Sequence, residues 1–106
     1  MKILAIEHEL PNRTEADFRQ YSRAEALQAW ELHQQGIIRE LYFRADCNQA
    51  ILILECADVE SAQEALATLP FVRQKLIAFE LIPLKAYPGF ARLFAPSADQ
   101  RQGNPS

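Results

Sequence analysis

Of 106 residues only two are cysteine and three glycine, and each scarcity excludes something. Cys47 and Cys56 stand nine residues apart, without CxxC spacing and without clustered histidine, which argues against a disulfide framework or a zinc site. Both are expected to be ordinary thiols. There is no glycine-rich phosphate loop, no GxSxG elbow and no HExxH pair, so the common nucleotide, serine-hydrolase and zinc-protease signatures are missing. Lysine and arginine form no cluster and the formal net charge is −3, which speaks against a nucleic-acid or anionic-membrane surface. No apolar run approaches the roughly 18 residues that a membrane helix needs. The stretch Met1-Lys2-Ile3-Leu4-Ala5-Ile6-Glu7-His8 carries charge and no small-residue cleavage site, so it does not read as a signal peptide and a cytoplasmic location is expected.

What is present is the composition of one ordinary globular domain with a single core. Residues 2–8 read as a strand closed by Pro11-Asn12 turn chemistry. Thr14 is placed to cap a helix over residues 15–35, with Glu15 and Asp17 at the positive end of its dipole and Gly36 as its stop. Its apolar pattern is mixed, with Ala26, Trp30 and His33 sharing one side. Strands follow over 37–44 and 50–56, joined by a hairpin containing the turn formers Asp46 and Asn48. Asp58 caps a second helix to residue 69, in which Ala62, Ala65, Leu66 and Leu69 recur at helical spacing and Pro70 marks the end. A fourth strand covers 76–84, where Pro83 points to a sheet edge. The order βαββαβ predicts an α+β, ferredoxin-like fold: a four-stranded antiparallel sheet with two helices on one face. The domain is expected over 1–94. Its segment 85–94 is rich enough in aromatics to dock on something, and residues 95–106 have the composition of a disordered end.

The strands do not alternate as a half-exposed sheet should. Ile3 and Ala5 oppose Leu4 and Ile6; Ile51 and Ile53 oppose Leu52 and Leu54; Ile77, Phe79 and Leu81 oppose Ala78 and Ile82. Both faces of the sheet are apolar, yet two helices cover only one. A second copy packed sheet to sheet is the economical cover, so a homodimer or higher homo-oligomer is expected. The alternative is that the chain's own apolar tail folds back over that face.

Polar residues on or beside these strands are the candidates for chemistry: Glu7, His8, Arg39, Glu40, Tyr42, Arg44, Glu55 and Glu80. A carboxyl in an apolar pocket exchanges protons near neutral pH, and a nearby arginine grips a carboxylate. Each has a plainer reading. Glu7 reads as a strand-end carboxylate, which usually faces water, and Arg39 as the partner of Glu80 or Glu55 across strands. Glu80 interrupts an apolar run and needs a partner or a watery cavity. His33 fits the negative end of the first helix, Trp30 and Tyr42 read as packing residues, and Arg44 and Glu40 as solvated.

Laid out in order, Glu31-Leu32, Gly36-Ile37-Ile38-Arg39, Asp58-Val59-Glu60-Ser61, Leu69-Pro70-Phe71, Glu80-Leu81-Ile82-Pro83-Leu84 and Tyr87-Pro88 resemble the muconolactone isomerase family of the dimeric α+β barrel superfamily. The resemblance spans residues 1–88. It implies a cofactor-free enzyme whose subunits pair through their sheets and whose acid–base groups move a proton across a small carboxylated metabolite or lactone. By position it implies Glu7 or Glu80 as proton carrier, Arg39 as substrate anchor and Tyr42 as a wall of the pocket. The hairpin after Arg44 and the segment after Pro88 depart from the family pattern. A non-catalytic small-molecule-binding or stress-related module on the same scaffold is the competing reading. An enzyme should place Arg39 and at least one of Glu7 and Glu80 on one enclosed cavity. Haem-degrading relatives also occur in the superfamily, but His8 and His33, the only histidines, do not suggest a haem ligand.

Overall fold

The computed structural model describes residues 1–94. The element order is β1 (Lys2–Glu9), α1 (Glu15–Gln34), β2 (Ile38–Phe43), β3 (Ala50–Glu55), α2 (Val59–Leu66), α3 (Pro70–Arg73), β4 (Ile77–Leu84) and a terminal 3-10 helix (Pro88–Phe94). The four strands form one sheet in the order β2-β3-β1-β4. Every neighbouring pair is antiparallel. This is the βαββαβ, ferredoxin-like sheet expected from the element order, and β4 is indeed an edge strand, where a residue lacking an N–H is tolerated.

Local chemistry explains where α1 begins and ends. The Thr14 hydroxyl accepts from the Asp17 N–H (3.3 Å) while the Asp17 carboxylate accepts from the Thr14 N–H (2.9 Å), a reciprocal capping box. At the other end the Gly36 N–H donates to His33 O and the Ile37 N–H to Leu32 O, each at 3.0 Å. This Schellman pair requires the left-handed φ of +83° that Gly36 adopts. An added Cβ there would meet only the Arg39 guanidinium, at 3.8 Å or more, so glycine is needed for its backbone rather than for space.

The second helical region differs from expectation. α2 stops at Leu66, and Pro70 opens a separate one-turn helix instead of closing a long one. Proline is well suited to a first helical position, because the N–H it lacks would have no intrahelical acceptor there.

α1, α2 and α3 lie on one side of the sheet. β1 turns Ile3 and Ala5 inward, opposite Leu54 and Leu52 of β3. These residues pack with Ile38, Leu32 of α1 and Ala62 and Leu66 of α2 to form the core. The other face of the sheet carries Leu4, Ile6, Ile51, Ile53 and Ile82, all half-buried, with no helix over them among the described residues. The terminal segment does not cover this face: Phe90, Leu93 and Phe94 are 65%, 75% and 84% exposed. Residues 95–106, expected to be disordered, lie outside the described residues.

Substituting Leu54→Ala, at a fully buried site, is expected to lower unfolding stability by ~2–5 kcal/mol, and Gly36→Ala by ~1–2 kcal/mol through the left-handed backbone alone. Urea denaturation would check both. A Gly36→Ala cost near zero would contradict the cap geometry.

Candidate functional site

The inward parity of β1 continues past Ala5, so the next inward side chain is Glu7. β1 runs on to Glu9, which places Glu7 inside the strand and under α1, only 8% exposed. Its Oε1 accepts from the Ala50 N–H at 2.7 Å. The Gln49 side chain donates to its backbone carbonyl at 2.8 Å. Burial raises the Glu7 carboxyl above the ordinary carboxylate value; the Ala50 hydrogen bond works the other way.

Glu7 faces a cavity of about 360 Å³ between α1 and the sheet, walled mainly by Ile38, Leu52, Phe71, Ile77 and Phe79. Leu41 and Phe43 line it too, yet are 49% and 66% exposed, so the β2 side of the rim is open. A second carboxyl lines it as well. Glu25 of α1 accepts from the Phe71 N–H at 2.8 Å and is also raised, by burial first and by the charge of Glu7 after the opposing hydrogen bond. Outside lies a wider mouth of about 570 Å³ that shares Glu7, Ser22, Phe43 and Phe71 with the inner cavity and adds Glu9, Arg13, Glu15 and Arg19. Arg13 is steadied by donating from Nε to Lys75 O (2.7 Å), and Phe18 packs edge-on against Phe71 with ring centroids 5.2 Å apart.

Of the side chains expected to share a site, only Glu7 lines this cavity. Arg39 stands where the β2–β3 register shifts between Ile38 and Glu40, and its Nε turns back to Gly36 O (2.6 Å). It forms no ion pair with Glu80 or Glu55 among the described residues. Glu55 is instead taken by the Met1 ammonium at 2.6 Å, which holds its carboxyl below the ordinary range. Glu80 lies on the open face of the sheet, 3.6 Å from the His8 imidazole. Tyr42 lies on the same face, opposite Ile51, and donates to Glu40 at 2.6 Å. Tyr42 and Trp30 are 56% and 55% exposed and so are not core residues of the chain. Arg44 is exposed, as the sequence suggested, and within the hairpin it pairs with Asp46 at 2.6 Å. His33 bonds Ile38 O through Nδ1 at 2.8 Å.

Glu25 escaped the sequence reading, although a signal existed. Phe18, Glu25, Ala29 and Leu32 fall at helical spacing on the side of α1 that faces the sheet, one step around from the stripe of Ala26, Trp30 and His33. A carboxylate within that stripe marks a polar group held against the core. Among the described residues no cluster of three or more His, Cys, Asp or Glu side chains is placed to hold a metal ion, and no helix is long and apolar enough to cross a membrane.

Two raised carboxyls give a stability prediction with a definite sign. A carboxyl whose folded value exceeds its ordinary 4.5 favours the folded state below that value, and the advantage is lost as pH rises through the folded value. Stability should therefore decline from pH 4.5 upward across the window of the raised values. Glu7→Gln, which keeps an acceptor for Ala50, should flatten part of that decline in denaturation curves taken at several pH values. An unchanged slope would mean that Glu7 ionises as though in water.

The family model for muconolactone delta-isomerase matches residues 3–89 of the chain. Among solved structures, the crystal structure of muconolactone isomerase superposes with a TM-score of 0.68 at 22% sequence identity, covering 83% of this chain and 92% of that one. At that identity the likeness establishes the fold. No curated protein matches the chain.

Proposed function

The chain belongs to the muconolactone delta-isomerase family, and from that premise we propose that its cavity performs acid–base isomerisation of a small carboxylated metabolite or lactone, with Glu7 as proton carrier. The observation that carries this reading is the Glu7 carboxyl, buried in an apolar cavity and raised by that burial, with an open mouth beside it. A carboxyl raised in this way is better suited to taking up and returning a proton than a solvated one. Moving a proton along a substrate is redox-neutral, so the chemistry can be done by side chains alone. The anchor for a substrate carboxylate passes from Arg39 to Arg13 and Arg19, because these line the mouth next to Glu7.

Tyr42 and Glu80 stand on the open face of the sheet, and we assign them to contact with a second copy of the chain rather than to the cavity. Covering roughly 400 Å² of that face contributes on the order of 10 kcal/mol at about 25 cal/mol per Å², before association costs. The exposed aromatics of residues 85–94 would find their cover on the same neighbour.

Three outcomes separate the readings. Wild-type protein incubated with a panel of unsaturated lactone acids should show double-bond migration by NMR, and Glu7→Gln should lower kcat ~10²–10⁴-fold. Replacing Arg13 or Arg19 by Ala should raise KM roughly 10- to 100-fold with kcat little changed. Saturable binding of these acids without turnover would favour the non-catalytic module. For the assembly, wild type should run as a dimer or larger in light scattering and Ile53→Asp as a monomer; a monomeric wild type at micromolar concentration would remove the sheet-to-sheet contact.

A further inference from the structure

The cavity holds more acid–base equipment than one proton carrier needs. Glu7 rises from the sheet and Glu25 descends from α1, so the two carboxyls belong to opposite walls of one cavity. Each is pinned by one oxygen to a backbone N–H, Glu7 to Ala50 at 2.7 Å and Glu25 to Phe71 at 2.8 Å. No hydrogen bond among the described residues engages the second oxygen of either. No lysine, arginine or histidine lines the inner cavity among the described residues. The charged groups that face Glu7 lie outside, at the mouth: Glu9, Arg13, Glu15 and Arg19. His8 is on the far face of β1 with Glu80, and α3 contributes only the Phe71 ring to the inner wall.

Two like charges in an apolar space without a counterion repel strongly, and such a pair sheds its protons in two separate steps. The geometry points to Glu7 and Glu25 as a coupled carboxyl pair across the cavity, Glu7 the base and Glu25 the acid, presented to opposite sides of one ligand. Repulsion between the two is mutual, so whichever ionises first holds the proton on the other; Glu7, which alone of the pair also lines the mouth beside Arg13 and Arg19, is the one placed to be ionised.

This inference rests on the cavity being a proton-transfer site and specifies how it would work. The free oxygen of Glu7 takes a proton from the carbon beside a lactone or acid carbonyl, and the released C–H pair forms a new double bond. The existing double bond shifts, and its electrons form a C–H bond at the far carbon with the proton of Glu25. Glu7 ends protonated and Glu25 ionised, with no net oxidation or reduction. The pair resets when a proton passes back through water at the mouth.

The test has a part that needs no substrate. Carboxyl titrations by ¹³C NMR in the ligand-free protein should show the Glu25 midpoint falling by about one pH unit or more in Glu7→Gln, because the neighbouring charge is gone. An unmoved midpoint overturns the pair. With a turned-over substrate in D₂O, the product of the wild type should carry solvent deuterium at the new C–H position. Glu25→Gln, which keeps an acceptor for Phe71, should lose ~10²-fold or more in kcat with its circular dichroism unchanged, and Glu25→Asp should recover part of it. Full return of the substrate's own hydrogen, or wild-type kcat in Glu25→Gln, overturns the role of Glu25. A wild type that turns over no lactone acid, but whose Glu25 midpoint falls in Glu7→Gln, keeps the carboxyl pair and removes only the isomerisation assigned to it.

Discussion

A central strand that is apolar on both faces is the constraint on which this molecule depends. β1 lies between β3 and β4, and its side chains alternate without exception: Ile3, Ala5 and Glu7 towards the helices, Leu4, Ile6 and His8 away from them. The inward set nucleates the core against Leu52 and Leu54, and the same parity carries the Glu7 carboxyl beneath α1. Nothing local to Glu7 puts it there. A register slip of one residue would exchange the core for the open face and send the carboxyl into water.

The two sides of the sheet have come to serve different ends. On the helical side, packing is tight around Ile3, Ile38 and Leu54 but gives way towards the Glu7 end of β1, where α1 and the sheet leave space between Phe43, Phe71 and Phe79. Burial there raises the carboxyls above their ordinary values, and the mouth is open beside them. On the other side, isoleucine and leucine side chains cover one another only partly. The cost of leaving such a face in water is what makes association through it physically reasonable.

Polar residues sort according to which side they fall on. Glu80 and Tyr42 share the open face and satisfy themselves with His8 and Glu40. Arg39 sits at a break in strand register and folds back onto the carbonyl of Gly36, beyond reach of the cavity. Glu7 and Glu25 instead make single hydrogen bonds to main-chain N–H groups, contacts that orient a carboxyl without neutralising it. The anchors suited to a carboxylate, Arg13 and Arg19, come from the loop before α1 and from its second turn, elements that the strand pattern says nothing about.

The order of elements, the cap at Thr14, the stop at Gly36 and the two apolar faces of the sheet were all legible from the chain, because each depends on neighbours in sequence or on a period of two. Parity grouped Glu7 with Ile3 and Ala5, and Glu80 with Ala78 and Ile82, but it left both as candidates, because only the β1–β4 register puts these two groups on opposite faces. What parity could not say is which face the helices take. α1 was harder still, since Glu25 replaces an apolar residue in its buried stripe and Trp30 lies exposed outside it, so the pattern pointed one step around the helix. Pro70 was ambiguous because proline serves a helix start as well as a helix end. The sequence by itself determined the elements and the pairing pattern, which are short-range matters of torsion and alternation. Only the tertiary structure decided which carboxyls face one another, because that depends on how far α1 stands from the sheet and how it is turned about its axis, and packing sets both.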